Sequence, residues 1–304
     1  MKKVLCLVLI LFLMLFGLGC NKTVNDEMKL VIATMPSIDK VPMLVAMEKG
    51  FFKEYGLTVE IQNFQSPTDR DAALQSGHLD GIMSDLVADI FYLAAGQKLK
   101  VTSLVQTDFA IIASTSSSIT RLADITSEHK NGIARSGIIE YIADQAGNAQ
   151  KIALPSVMNR VEQVVSGAID LTIVPEPYGS MAVARGAVKV STSDQLGIYA
   201  AVMLFPQNVI DNKSAALTAF YKGYEDAVKY MATADPDEYI DAVISKGGFS
   251  DDAKAVLSAT AFRPLKAPTE QQFIDIQNWM NDGDFSGPYS FNFSEICDFN
   301  FLAP

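Results

Sequence analysis

The sequence predicts an α/β protein of two similar lobes, each built on a largely parallel sheet. Three observations carry that prediction. Short apolar strands alternate with helices along most of the chain. With 304 residues, the chain is long enough for about two domains. The stretch 66–96 is also echoed 90 residues further on without a gap. Ser66 falls on Ser156, Arg70 on Arg160, Ser76-Gly77 on Ser166-Gly167, Asp80 on Asp170, Ala94 on Ala184 and Gly96 on Gly186. That is 7 identities in 31 pairs, where ordinary composition gives about two. The matches fall on helix caps, helix stops and strand starts. They describe two units in tandem rather than a solenoid, which needs three or more.

Taken in order, residues 29–34 (KLVIAT) read as a buried strand. Residues 42–49 read as a helix stopped by Gly50, continued briefly by 51–56, and 57–64 alternates as a strand. Ser66-Pro67 opens a helix, with serine as N-cap and proline at the first helical position, and Gly77 closes it. A strand at 79–83, a helix at 86–95 and a strand at 99–105 follow. The middle repeats this grammar: strand 132–134, helix 138–145, strand 151–153, a helix from Ser156 to Gly167, strand 169–174, helix 178–184 and strand 188–190. Beyond Leu196 the pattern is helical, at 214–233, 236–246, 251–260 and 269–282.

Composition narrows the function. Half the chain is hydrophobic (49%) and 19% is charged, which excludes a disordered polymer. Thirty-five acidic against 24 basic residues give a net charge of −11, which disfavours phosphate backbones, so no nucleic-acid partner is expected. The histidines are His78, after a helix-stopping glycine, and His129, in a polar loop. Neither has the surroundings of a catalytic base, so no catalytic residue is assigned and no enzyme is expected. Cys6 and Cys20 belong to an apolar leader, which leaves Cys297 alone in the body and excludes a multi-cysteine metal site. No phosphate-cradling glycine loop occurs, and no cofactor or metal is expected. Trp279, at helical spacing with Phe273 and Ile276, reads as core of the C-terminal helices.

In open α/β sheets, ligands sit beyond the carboxyl ends of the strands, where helix N-termini also offer free N–H groups. The loops at those ends carry Met35, Pro36, Ser37 and Asp39; Ser84 and Asp85; Arg135, Ser136 and Gly137; and Pro175, Glu176, Pro177 and Tyr178. The candidate ligand-binding set is Pro36, Ser37, Ser84, Asp85, Phe109, Arg135, Ser136, Gly137, Glu176 and Tyr178. Asp85 and Glu176 occupy nearly equivalent loops of the two units. Facing carboxylates suit a ligand with N–H donors or positive charge; alternatively both are helix-capping acids. Arg135 keeps a small anion open, since a guanidinium fork matches sulfonate or nitrate.

The segment Val41-Pro42-Met43-Leu44-Val45-Ala46-Met47-Glu48-Lys49-Gly50-Phe51-Phe52, with Tyr55-Gly56-Leu57, resembles a segment of periplasmic substrate-binding proteins of ABC importers. The group concerned serves nitrate, alkanesulfonates and thiamine pyrimidine precursors. Residues 71–80 (DAALQSGHLD), Ile138-Ile139-Glu140-Tyr141, Glu176-Pro177-Tyr178 and Phe301-Leu302 are similar to further segments of that group. The resemblance implies a type II periplasmic-binding-protein fold: two α/β lobes, two hinge strands and a ligand cleft between them. Lobe 1 would comprise residues 29–108 plus 196–304, and lobe 2 residues 109–195, with crossings near Phe109 and Leu196. It also implies a small-molecule solute, an ABC permease and ATPase as partners, no enzymatic activity, and a monomer. The solute could be a thiamine pyrimidine precursor or another N-heterocycle, or a small anion. A receptor lipoprotein of the same fold without a transporter is the remaining alternative.

Met1-Lys2-Lys3 followed by an apolar run over residues 4–18 has the layout of a secretory signal peptide. At 15 residues the run is short of the roughly 20 that span a bilayer. It ends in Gly17-Leu18-Gly19-Cys20, which resembles a bacterial lipobox, although Gly17 stands where leucine is usual. The expectation is a signal peptide over 1–19, lipid attachment at Cys20, a tether over 20–28 and an address outside the cytoplasm.

Overall fold

The computed structural model describes residues 26–302. The leader, Cys20 and most of the tether lie outside the described residues. Among the described residues, ten strands form two five-stranded sheets. They are β1 (Lys29–Thr34), β2 (Thr58–Asn63), β3 (Gly81–Asp85), β4 (Leu99–Leu104), β5 (Phe109–Ala113), β6 (Lys130–Ile133), β7 (Gln150–Ala153), β8 (Leu171–Pro175), β9 (Val188–Thr192) and β10 (Ala201–Pro206).

The two sheets share one plan. The first runs β2-β1-β3-β10-β4 and the second β7-β6-β8-β5-β9. In the first, β1 is parallel to β2, with Lys29 opposite Thr58, and parallel to β3, while β10 is antiparallel to β3 and β4. In the second, β6 is parallel to β7 and β8, and β5 is antiparallel to β8 and β9. The fourth strand of each sheet is therefore reversed, and each is the strand by which the chain enters from the other lobe. β5 follows β4 after residues 105–108, and β10 follows β9 after 193–200. The two crossings are stitched side by side. Ser193 Oγ donates to Asp108 Oδ1 at 2.8 Å, and the Phe109 N–H donates to Ser193 Oγ at 3.0 Å.

Most elements form close to where the sequence predicts them, with differences among the strands. Neither reversed strand, β5 or β10, shows in the strand–helix alternation, and the region after Leu196 read as helical contains β10. β10 is buried from Ala201 to Phe205, so it has no alternation to mark it. β8 and β3 each start two residues later than expected, and β3 includes Ser84 and Asp85. Gly81 is needed in it because a Cβ there would lie 2.5 Å from the Phe205 ring of β10.

The echo has a structural cause. Ser66 Oγ accepts from the Asp69 N–H at 3.2 Å and Ser156 Oγ from the Asn159 N–H at 3.4 Å, each capping its helix. Asp80 Oδ2 accepts from the Val31 N–H at 2.8 Å, and Asp170 Oδ2 from the Lys130 N–H at 2.7 Å, so each aspartate satisfies a donor near the start of the neighbouring strand. Arg70 and Arg160 reach from their helices to carbonyls near the ends of β3 and β8, Met83 O at 2.9 Å and Ile173 O at 3.3 Å.

Apolar packing is continuous between the lobes. One buried cluster joins Leu30, Ile32 and Phe205 of the first sheet to Ala110, Ile112 and Val174 of the second. The helix Glu270–Asp282 lies on the helix Leu86–Ala94. Its Trp279 is only half buried and reaches the other lobe, with its indole N–H 3.1 Å from Asp144 and its ring edge-on to Tyr141 at 5.1 Å. The tryptophan thus packs with the C-terminal segment, 4.9 Å from the Phe285 ring, and also bridges the lobes. Among the described residues no helix is long and apolar enough to cross a membrane.

Candidate functional site

The carboxyl ends of β1, β3, β6 and β8 converge where the lobes meet. Two helices begin there, Leu86–Ala94 from lobe 1 and Ile138–Ala146 from lobe 2. The space between the lobes is divided into two chambers. The inner one, about 80 Å³, has room for only a few waters. Ser37, Asp39, Arg70, Ser84, Asp85, Phe109, Arg135, Ser136, Gly137 and Arg160 line it. The outer one, about 560 Å³, is lined by Ile38, Asp108, Phe109, Glu176, Ser180, Tyr199, Arg263 and Lys266 among others. Small-molecule sites usually measure about 300–1,000 Å³, so the inner chamber admits a solute of any size only if the lobes part. A backbone hydrogen bond across the lobes, Ile38 N–H to Glu176 O at 2.9 Å, ties together the two segments that separate the chambers.

The predicted set is therefore split. Ser37, Ser84, Asp85, Arg135, Ser136 and Gly137 face the inner chamber, Glu176 the outer one, and Phe109 both. Pro36 and Tyr178 are buried but line neither. Ser37 is engaged at 3.0 Å with the Thr107 hydroxyl of the first crossing.

Both carboxylates cap helices. Asp85 is buried, and its Oδ1 accepts from the Ala88 N–H at 2.9 Å. Burial pushes its pKa up against the pull of the Ala88 N–H, the nearby Arg70 and the Ile138 N–H of the facing helix. Glu176 Oε2 accepts from the Ser180 N–H at 2.9 Å, and its Oε1 accepts from Ser180 Oγ at 3.0 Å and Lys189 Nζ at 3.1 Å. These partners of the Glu176 carboxylate all belong to its own lobe.

Arg135 is not a free fork. Its Nη1 donates to Glu140 Oε1 at 3.2 Å, and Lys151 Nζ shares that oxygen at 3.3 Å. Glu140 Oε2 takes the Ser136 N–H at 2.9 Å, holding Ser136 at a left-handed φ of 60°. The guanidinium lies at the rim, with 53% of its side chain exposed.

The deepest charges are ones the sequence reading did not assign to a site. Arg160 is 1% exposed and donates to Leu154 O at 2.8 Å, Pro155 O at 2.9 Å and Ile173 O. Burial alone lowers its pKa to about 10, with no acidic neighbour to counter it. Arg70 is equally buried but lies against Asp71, at 2.8 Å, and Tyr92. Asp39 is buried with one carboxylate oxygen unpartnered, and burial, only partly offset by Lys40, raises its pKa to about 6. Ser84 Oγ has the Tyr92 hydroxyl beside it but no partner in good hydrogen-bond geometry. A signal for the arginines was present: an arginine recurring at one place in both echoed units marks a shared buried role. The rings of His78 and His129 bond only to neighbours in their own loops.

The profile of the NMT1/THI5-like family matches residues 37–239. No protein of curated function matches the chain in sequence. Among solved structures, the chain is similar to the ligand-binding component of an ABC-type import system from Staphylococcus aureus (TM-score 0.73, 14% identity, covering 90% of this chain and 97% of that one). It is similar to the periplasmic aliphatic sulphonate binding protein SsuA of Escherichia coli (TM-score 0.68, 16% identity, 83% and 90% covered). It is also similar to the desulfurization enzyme DSZB (TM-score 0.61, 13% identity, 90% and 97% covered). At these identities the likeness establishes the fold, which both binding proteins and an enzyme have used.

Proposed function

The chain belongs to the NMT1/THI5-like family, and from that premise we propose that it is the solute-capturing lipoprotein of an ABC import system. It works outside the cytoplasm as a monomer, anchored by lipid at Cys20, and delivers a small polar molecule to a membrane permease and its ATPase. The solute is bound, not transformed. The single observation that carries the ligand reading is the pair of unpartnered polar groups in the inner chamber, Asp39 Oδ1 and Ser84 Oγ. A buried polar atom without a partner costs about 1–3 kcal/mol, so these atoms favour a guest that can pair with them. A carboxylate oxygen accepts only, so a guest that pairs with it presents an N–H or O–H group. A thiamine-type pyrimidine or another amino-substituted N-heterocycle has that chemistry.

Arg160 supports the second reading. A buried guanidinium without an acidic neighbour favours a small anion such as an alkanesulfonate or nitrate. Native mass spectrometry of the purified protein, followed by thermal shift with the released compound, separates the two. A co-purifying N-heterocycle that raises the melting temperature is the expected result. A bound sulfonate or nitrate would overturn the heterocycle reading. Turnover of the bound compound would overturn the transport reading.

A further inference from the structure

The carboxyl group of Asp85 lies beside the N-terminus of the lobe 2 helix. Gly137 precedes the helix Ile138–Ala146 with an extended backbone (φ −161°), which any residue can adopt. What restricts the position is proximity: a Cβ on Gly137 would lie 3.2 Å from Asp85 Oδ2. The Asp85 carboxylate thus sits against the first turn of the opposing helix. One oxygen caps its own helix through Ala88, and the facing Ile138 N–H draws on the same carboxylate. The neighbouring groups fit this placement. Arg70 lies close enough to act on Asp85 electrostatically, Arg135 is held away by Glu140, and Ser84 Oγ faces the same chamber unpartnered.

We infer that Asp85 sets the charge specificity of the cleft: it occupies the lobe 2 helix N-terminus as a built-in carboxylate and so excludes anionic solutes from it. A helix N-terminus attracts anions through its free N–H groups and dipole. Here an incoming sulfonate would meet a fixed negative charge at the place where those groups point. Neutral N–H donors meet no such repulsion. The inference deepens the heterocycle reading above and rests on the cleft being the solute site.

The test compares methanesulfonate binding, by calorimetry, to the wild-type protein and to Asp85→Asn and Asp85→Ser. Asparagine and serine are both good N-caps, so the helix Leu86–Ala94 keeps its start and the variants keep their fold, as melting curves will check. The expected result is weak or undetectable binding to wild type and a gain of about tenfold or more in both variants, the size expected when one nearby like charge is removed from a partly dry site. Wild-type binding as tight as that of the variants would overturn the inference. So would no gain in either folded variant. These outcomes are independent of import. A protein whose melting is unmoved by added amino-substituted N-heterocycles, yet which gains methanesulfonate binding in both variants, would refute the heterocycle reading and leave the role of Asp85 standing.

Discussion

Replacing Asp89 with asparagine should stabilise the protein at pH 8 relative to pH 5. Asp89 lies in the helix Leu86–Ala94 with no exposed surface, and neither carboxylate oxygen has a hydrogen-bond partner. Burial first, and the nearby Asp85 second, raise its pKa from 3.8 to about 8, with Lys100 offsetting part of the shift. The folded protein therefore holds this proton where the unfolded chain releases it. The stabilising contribution is complete below pH 3.8 and is lost as the pH climbs towards 8. Each unit is worth about 1.4 kcal/mol, so the wild type should lose roughly 2–4 kcal/mol between pH 5 and pH 8 through this one residue. An asparagine in its place would not ionise and should lose none of it. Its unpaired amide costs the same at both pH values and cancels in the comparison. Asp39, with its pKa raised to about 6, titrates in the same window but identically in both proteins. Urea unfolding of the two proteins at pH 5 and pH 8 measures the difference directly. If the stability gap between them is the same at both pH values within about 0.5 kcal/mol, Asp89 is not a buried, proton-holding acid and the reasoning fails.

Two further outcomes are expected. Cys20→Ser should release the protein from the membrane fraction, because stable retention needs the acyl chains that this cysteine would carry; unchanged fractionation would refute the anchor. Arg160→Met should destabilise by about 2–5 kcal/mol in urea unfolding, because the carbonyls of Leu154, Pro155 and Ile173 lose their donor inside the protein. A cost below about 1 kcal/mol would mean that those carbonyls find other partners.

The sequence alone determined the local grammar. Ser66-Pro67 and Ser156 start helices and Gly77 and Gly167 follow their ends because capping depends on a few adjacent residues. The echo of Ser66, Arg70, Gly77 and Asp80 announced two equivalent units, because the same caps and strand ends recur at the same spacing. Burial of whole strands erased other signals. β10 is apolar on both faces, so neither its strand nature nor its reversed direction is written in a periodicity; its antiparallel partners β3 and β4 lie about a hundred residues away. The site was legible in the same uneven way. The loops after β1, β3, β6 and β8 could be named because strand ends are visible, and six of their predicted residues do face the inner chamber. Which groups are left wanting a partner could not be read there. Asp39 and Arg160 acquire their meaning from burial, and Asp85 from its approach to Gly137 on the opposite lobe. Burial is set by packing within and between the lobes, and the Asp85–Gly137 approach joins segments remote in the chain that only the packing of one lobe on the other brings together.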